Sequence, residues 1–199
     1  SLRFLVLSAS EDNGGILLGR LIVDAAAQNT TIEGIFVNAR QDRPIVDVTR
    51  QLKVSSNVKA LTIFHTPEGI ENIWPEANSI ESLALISRAS SEQCNLSKLM
   101  AKASASSSIL KRLEIVCWTP GLPTFLTGPG CSLETLRLDS VDFHHSRKGI
   151  SAIDGLLWGL AASKTADLSL SRCVMDRLAI EKLLEALRSK LTSIKGLHF

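Results

Sequence analysis

Apolar residues recur along this chain three apart and then two apart, a spacing that belongs to neither a plain strand nor a plain helix. Leu133-Glu-Thr-Leu136-Arg-Leu138 is one copy. Others run Leu2, Leu5, Leu7; Ile32, Ile35, Val37; Val58, Leu61, Ile63; Ile80, Leu83, Leu85; and Leu110, Leu113, Ile115. A degenerate copy, Thr165, Leu168, Leu170, precedes a last one, Ile194, Leu197, Phe199. The eight copies start 22 to 32 residues apart and cover the chain from end to end. The two apolar residues that flank a single outward one alternate as in a strand and point to one side. The apolar residue three places earlier reaches the same interior as the chain enters that strand. Such a unit cannot bury its apolar side alone, whereas units stacked in parallel close a continuous core.

A parallel pairing requires a crossover of a dozen or so residues, and the gaps between copies supply it. In DRLAIEKLLEALRSKL, the residues Ile180, Leu183, Leu184, Leu187 and Leu191 form an apolar stripe at helical spacing, with Asp176 placed to cap it. Ser151-Ala-Ile-Asp154 resembles a capping box and leads into Leu156, Leu157 and Leu160. Further helices are expected around Leu17, Leu18, Leu21, Ile22 and Ala25, after Pro44 through Ile45, Val48 and Leu52, and around Leu96, Leu99, Met100 and Ala103. HTPEGIENIWPEANS and CWTPGLPTFLTGPGCS are broken by Pro and Gly, so extended or single-turn segments are expected there. Ile70, Ile73, Leu122 and Phe125 would then be inward plugs.

The motif resembles that of the leucine-rich-repeat superfamily, over essentially the whole chain. LSLSRCVMDRLAIEKLLEALRSKL, with Cys173 five residues after Leu168, resembles the ribonuclease-inhibitor-like subclass. The family's Asn or Cys after the strand is matched only by Cys173; Ser10, Arg40, Thr66, Arg88, Trp118 and Val141 stand at the corresponding positions. The resemblance implies an α/β leucine-rich-repeat solenoid, a horseshoe with a concave parallel sheet and helices or extended segments on the convex side. The expected organisation is a single domain over residues 1–199 within a longer chain. The competing architecture, a doubly wound α/β domain, calls for strands buried on both faces and near-continuous apolar runs. Here Thr62, Glu114, Arg137 and Ser169 interrupt the apolar pairs, which leaves one sheet face wet.

Composition changes little. An apolar content of 45% with 21% charge is that of an ordinary globular protein, and a formal charge of +2 gives no reason to expect nucleic acid. No apolar run reaches the length of a membrane span, and SLRFLVLSAS lacks the pattern of a signal peptide. Cys94, Cys117, Cys131 and Cys173 lie far apart without framework spacing, which suits buried thiols in a reducing, cytoplasmic setting. Asn29-Thr-Thr31 and Asn95-Leu-Ser97 match the glycosylation acceptor pattern at the frequency chance allows in a Ser/Thr-rich chain.

Catalytic signatures are missing: the chain has no phosphate loop, dinucleotide fingerprint, zinc-protease motif or nucleophile elbow. DNGG at 12–15 and GPG at 128–130 read as turns. Asp139, Asp142, His144 and His145 form the densest polar cluster, expected to be a solvated loop rather than a metal site, since adjacent loop histidines need a third fixed ligand. Cys173 and Cys117 are expected to be packing thiols. No cofactor is expected.

Function is therefore expected on the wet face. Phe4, Val6, Phe36, Phe64, Ile86 and Val116 line its first five repeats, with Arg40, Arg88, Arg112 and Trp118 nearby and Arg137 beyond. Aromatic anchors beside Arg are the composition of interface hot spots, and an exposed apolar stripe usually marks a contact surface. The expectation is a non-enzymatic module that binds a protein or peptide, with no nucleic acid or membrane partner and with room for flanking domains in the same chain. The alternative is the sensor or autoinhibitory array of a multidomain receptor or signalling protein.

Overall fold

A computed structural model of the chain describes residues 3–9, 31–39, 58–64, 80–86, 97–101, 109–116, 118–129, 131–144 and 151–199. Each motif becomes one strand: β1 (Phe4–Ala9), β2 (Gly34–Ala39), β3 (Ala60–Phe64), β4 (Ser82–Ile86), β5 (Arg112–Val116), β6 (Thr135–Asp139), β7 (Asp167–Ser171) and β8 (Gly196–His198). They form a single eight-stranded sheet in chain order, and every neighbouring pair is parallel. A doubly wound sheet reverses strand order at a switch point. This sheet has no reversal; the chain advances by one strand at each crossover.

The register aligns the motifs copy on copy. Ile35, Leu61, Leu83, Leu113, Leu136 and Leu168 pair in one row, and Ile63, Leu85, Ile115, Leu138 and Leu170 in another, all of them buried. The odd apolar residue that opens each motif sits just before its strand, and Ile32, Val58, Ile80, Leu110 and Leu133 are buried there too. Full burial of each such side chain is worth about 1.5–3 kcal/mol, so these three rows dominate the core. The degenerate copy puts Thr165 in the leucine's place, fully buried, and satisfies its hydroxyl with Ser163 Oγ at 3.0 Å.

The backbone repeats as faithfully. The carbonyl of Arg3 accepts from the N–H groups of Glu33 and Gly34, at 2.9 and 3.1 Å. The same two-donor bond recurs at every step as far as the Ala166 carbonyl, which accepts from Lys195 and Gly196.

Among the described residues three helices lie on the buried side: α1 (Gly121–Leu126), α2 (Ala152–Ala162) and α3 (Arg177–Ser189). Residues 97–101 add a further helical turn where Leu99 and Met100 are buried. Asp176 caps α3 as its position suggests, accepting from the Ala179 N–H at 2.8 Å. Ser151 caps α2, accepting from the Asp154 N–H and donating to its carboxylate at 2.6 Å. Lys182, in the middle of α3, then bonds both oxygens of Asp154, at 2.7 and 2.8 Å, which ties the capped start of α2 to the neighbouring crossover helix.

Two expectations about the crossovers are refined. The Pro-interrupted segment after β5 does hold a single short helix, α1, with Leu122 and Phe125 as buried plugs. On α3 the buried seam is Ala179, Leu183 and Ala186, while Ile180 and Leu184 stay nearly half exposed. Two alanines let that helix approach the core closely, so its larger side chains stand at the margin. The segments around Leu17–Ala25 and Pro44–Leu52, with Ile70, Ile73, Leu96 and Ala103, lie outside the described residues.

Candidate functional site

Strand alternation leaves three rows on the opposite face of the sheet. One runs Phe4, Gly34, Ala60, Ser82, Arg112, Thr135, Asp167, Gly196 in register. The middle row runs Val6, Phe36, Thr62, Ala84, Glu114, Arg137, Ser169, His198. The third carries Phe64, Ile86, Val116, Asp139 and Ser171. This is the face with mixed composition, and every described side chain in these rows except Gly34 and Asp139 is partly or largely exposed.

The apolar residues expected to act together do meet here. Phe4 and Val6 are 66% and 65% exposed, which is unusual for large apolar side chains on a strand. The Phe4 ring lies over Gly34, where an added Cβ would stand 2.6 Å from its Cδ1. Glycine at 34 thus leaves room for an aromatic plate on the sheet. Phe36 and Phe64, diagonal neighbours on adjacent strands, stack at 4.8 Å between ring centroids with planes tilted by 47°. Aromatic pairs at such separation gain about 0.5–1.5 kcal/mol beyond their burial. Ile86 and Val116 continue the third row, both half-buried.

Charge enters at β5. Arg112 is exposed and forms no ion pair among the described residues, whereas Arg137 stands 3.6 Å from Glu114 one strand away. The face changes again at β6, where Asp139 is only 4% exposed. Arg172 Nε donates to Asp139 Oδ1 at 2.8 Å and its Nη2 to Oδ2, while Ser140 Oγ donates to Oδ1 at 2.9 Å. The Arg172 guanidinium holds the Asp139 carboxyl below its usual range. Ser140 and Arg172 both adopt positive φ, 54° and 52°, at equivalent places after successive strands. That turn aims Arg172 back across the end of the sheet.

Trp118 departs from the stripe. It is half-buried against the core, edge-on to Phe143 at 6.0 Å, with its ring beside Gly155 of α2. It fills space between sheet and helices instead of joining the open face. Arg40 and Arg88 lie outside the described residues, as does His145 of the polar cluster. Asp139 has both oxygens engaged by Arg172, and Asp142 accepts from the backbone N–H of His144 at 2.9 Å. Among the described residues no three His, Cys, Asp or Glu side chains gather at metal-binding spacing. Cys173 lies half-buried with its thiol donating to the Leu138 carbonyl of the previous turn, and burial pushes its pKa up. Cys117 lies outside the described residues.

Two surface features are not among the sequence expectations. The residue just before each of the first six strands alternates in sign, Arg3, Glu33, Lys59, Glu81, Lys111, Glu134, along one rim of the sheet. Arg3–Glu33, Lys59–Glu81 and Lys111–Glu81 approach within 3.9, 3.7 and 3.2 Å. The signal is present in the sequence as the second residue of each of the first six motifs. On the other side, α2 and α3 border a groove of about 340 Å³ lined by Leu157, Trp158, Ala161, Lys182, Ala186 and Lys190, with Trp158 60% exposed. No helix among the described residues is long and apolar enough to cross a membrane. No protein-family model and no curated protein matches the chain.

Proposed function

We propose that the chain is a leucine-rich-repeat module, of the ribonuclease-inhibitor-like kind, that binds a protein or peptide on its open, concave sheet face and performs no chemistry of its own. The observation that carries this reading is the register that brings Phe4, Val6, Phe36, Phe64, Ile86 and Val116 onto one face of the sheet. Phenylalanines that remain partly wet on a water-facing sheet leave part of their apolar surface unburied after folding; an arriving surface completes their burial. The parallel sheet in chain order and the recurring two-donor bond support the repeat assignment. Cys131 and Cys173 are free, partly buried thiols, which fits a reducing, cytoplasmic setting.

The test is to replace Phe36 and Phe64 with Ser, singly and together, and measure binding to an identified partner by calorimetry. Loss of about 2 kcal/mol or more per anchor is expected, with the circular-dichroism spectrum and unfolding midpoint little changed. Unchanged affinity in a folded double variant would place the binding surface elsewhere. Trp118→Ala is the contrasting control: it acts on stability, because its ring packs inside.

A further inference from the structure

The open face is chemically asymmetric, and the asymmetry specifies what a partner must carry. We propose, building on the peptide-binding reading, that the face takes an extended protein segment with apolar side chains over β2 to β4 and an acidic side chain over β5, opposite Arg112. Over β2 to β4 the face offers the Phe36–Phe64 stack with Ile86 beside it, and no charged residue in any of its three rows. Charge begins at β5, where Arg112 is exposed and without an ion-pair partner among the described residues.

The surrounding charges fix where the acid belongs. Glu114 is already matched by Arg137 at 3.6 Å, and Asp139 by Arg172. Two strands beyond Arg112 in the same row stands Asp167, exposed, whose negative charge repels an acid placed there. An acidic side chain therefore gains at β5 and loses at β7, which gives the bound segment a direction across the strands. Four strands, β2 to β5, at about 4.8 Å spacing put the apolar anchors and Arg112 within the reach of a few extended residues.

The experiment pans a phage-displayed library of random dodecapeptides against the whole chain, against Arg112→Glu, and against the double variant Phe36→Asp/Phe64→Asp. Each variant is first checked for a native circular-dichroism spectrum and a cooperative unfolding transition well above the assay temperature. Peptides enriched on the parent chain are expected to share an Asp or Glu to one side of a pair of apolar residues. By fluorescence anisotropy, changing that acid to its amide, or Arg112 to Glu, should weaken binding roughly fivefold at low salt, and the difference should vanish in molar salt. Panning on Arg112→Glu should favour Lys or Arg at the same place.

Enriched peptides that depend on Phe36 and Phe64 but lack the acidic bias would overturn this inference and leave the binding face standing. Enrichment that survives Phe36→Asp/Phe64→Asp, or no enrichment over a blank surface, would overturn both. Concentration-dependent self-association in sedimentation, abolished by that double variant, would make a second copy of the chain the occupant and remove the acidic segment.

Discussion

Asp139 illustrates how one neighbour reverses the meaning of a position. Its place after the inner pair of its strand puts it among the outward residues, yet Arg172 from the next turn folds over it and closes it from water. A motif read one copy at a time cannot contain that contact, because its two halves lie 33 residues apart. Since the Asp139 pKa is held below its unfolded value, the ion pair's contribution is fully present above the unfolded carboxylate pKa. It is lost as pH falls through the lower, folded pKa. Asp139→Asn should therefore lower the thermal midpoint at neutral pH and flatten its acid-side decline; an unaltered decline would show that other carboxylates govern it. The turns at Ser140 make a second residue-scale prediction. With φ at 54°, glycine is tolerated at 140, whereas Ser140→Val should lose about 1–2 kcal/mol in urea unfolding, because a β-branched side chain is strained there.

The elements were legible wherever local chemistry determines them. Strand positions follow from the apolar triplets, and the starts of α2 and α3 follow from Ser151 and Asp176, whose side chains satisfy N–H groups that a helix leaves orphaned. Asp176→Ala should accordingly cost about 1 kcal/mol. Legibility failed where packing between elements decides. Trp118 resembles an interface residue by composition and is a packing residue by position, and the alanine seam of α3 outranks its larger neighbours because close approach favours small side chains. Gly159 of α2 gives the sharpest case. Replacing glycine with alanine in a helix interior ordinarily gains up to about 1 kcal/mol. At 159 the new Cβ would lie 2.9 Å from Leu126 Cδ1 and 3.2 Å from the backbone of Pro123. Overpacking against backbone costs about 1–3 kcal/mol, so Gly159→Ala should destabilise despite its helix propensity. A rise in the unfolding midpoint would mean that α1 can move away.

At the scale of the whole molecule, each turn contacts mainly the turns before and after it, and energetic coupling should follow that geometry. Leu136 pairs directly with Leu168 in the buried row, and both are fully buried. Leu61 occupies the same row but stands three strands from Leu136, about 14 Å at normal spacing, with Leu83 and Leu113 between. Truncating any of the three to Ala removes a core side chain and should cost about 2–5 kcal/mol, so combinations are readable against a large signal. In a stack of nearest neighbours, a cavity at Leu136 relaxes into the turn that carries Leu168 and not into the turn that carries Leu61. The double variant Leu136→Ala/Leu168→Ala should thus depart from the sum of its parts by about 0.5–3 kcal/mol in urea unfolding. Leu61→Ala/Leu136→Ala should match its sum within about 0.5 kcal/mol. Equal coupling in both pairs would mean that the sheet behaves as a single undivided core, and that the repeats read in the sequence are units of geometry without being units of energy.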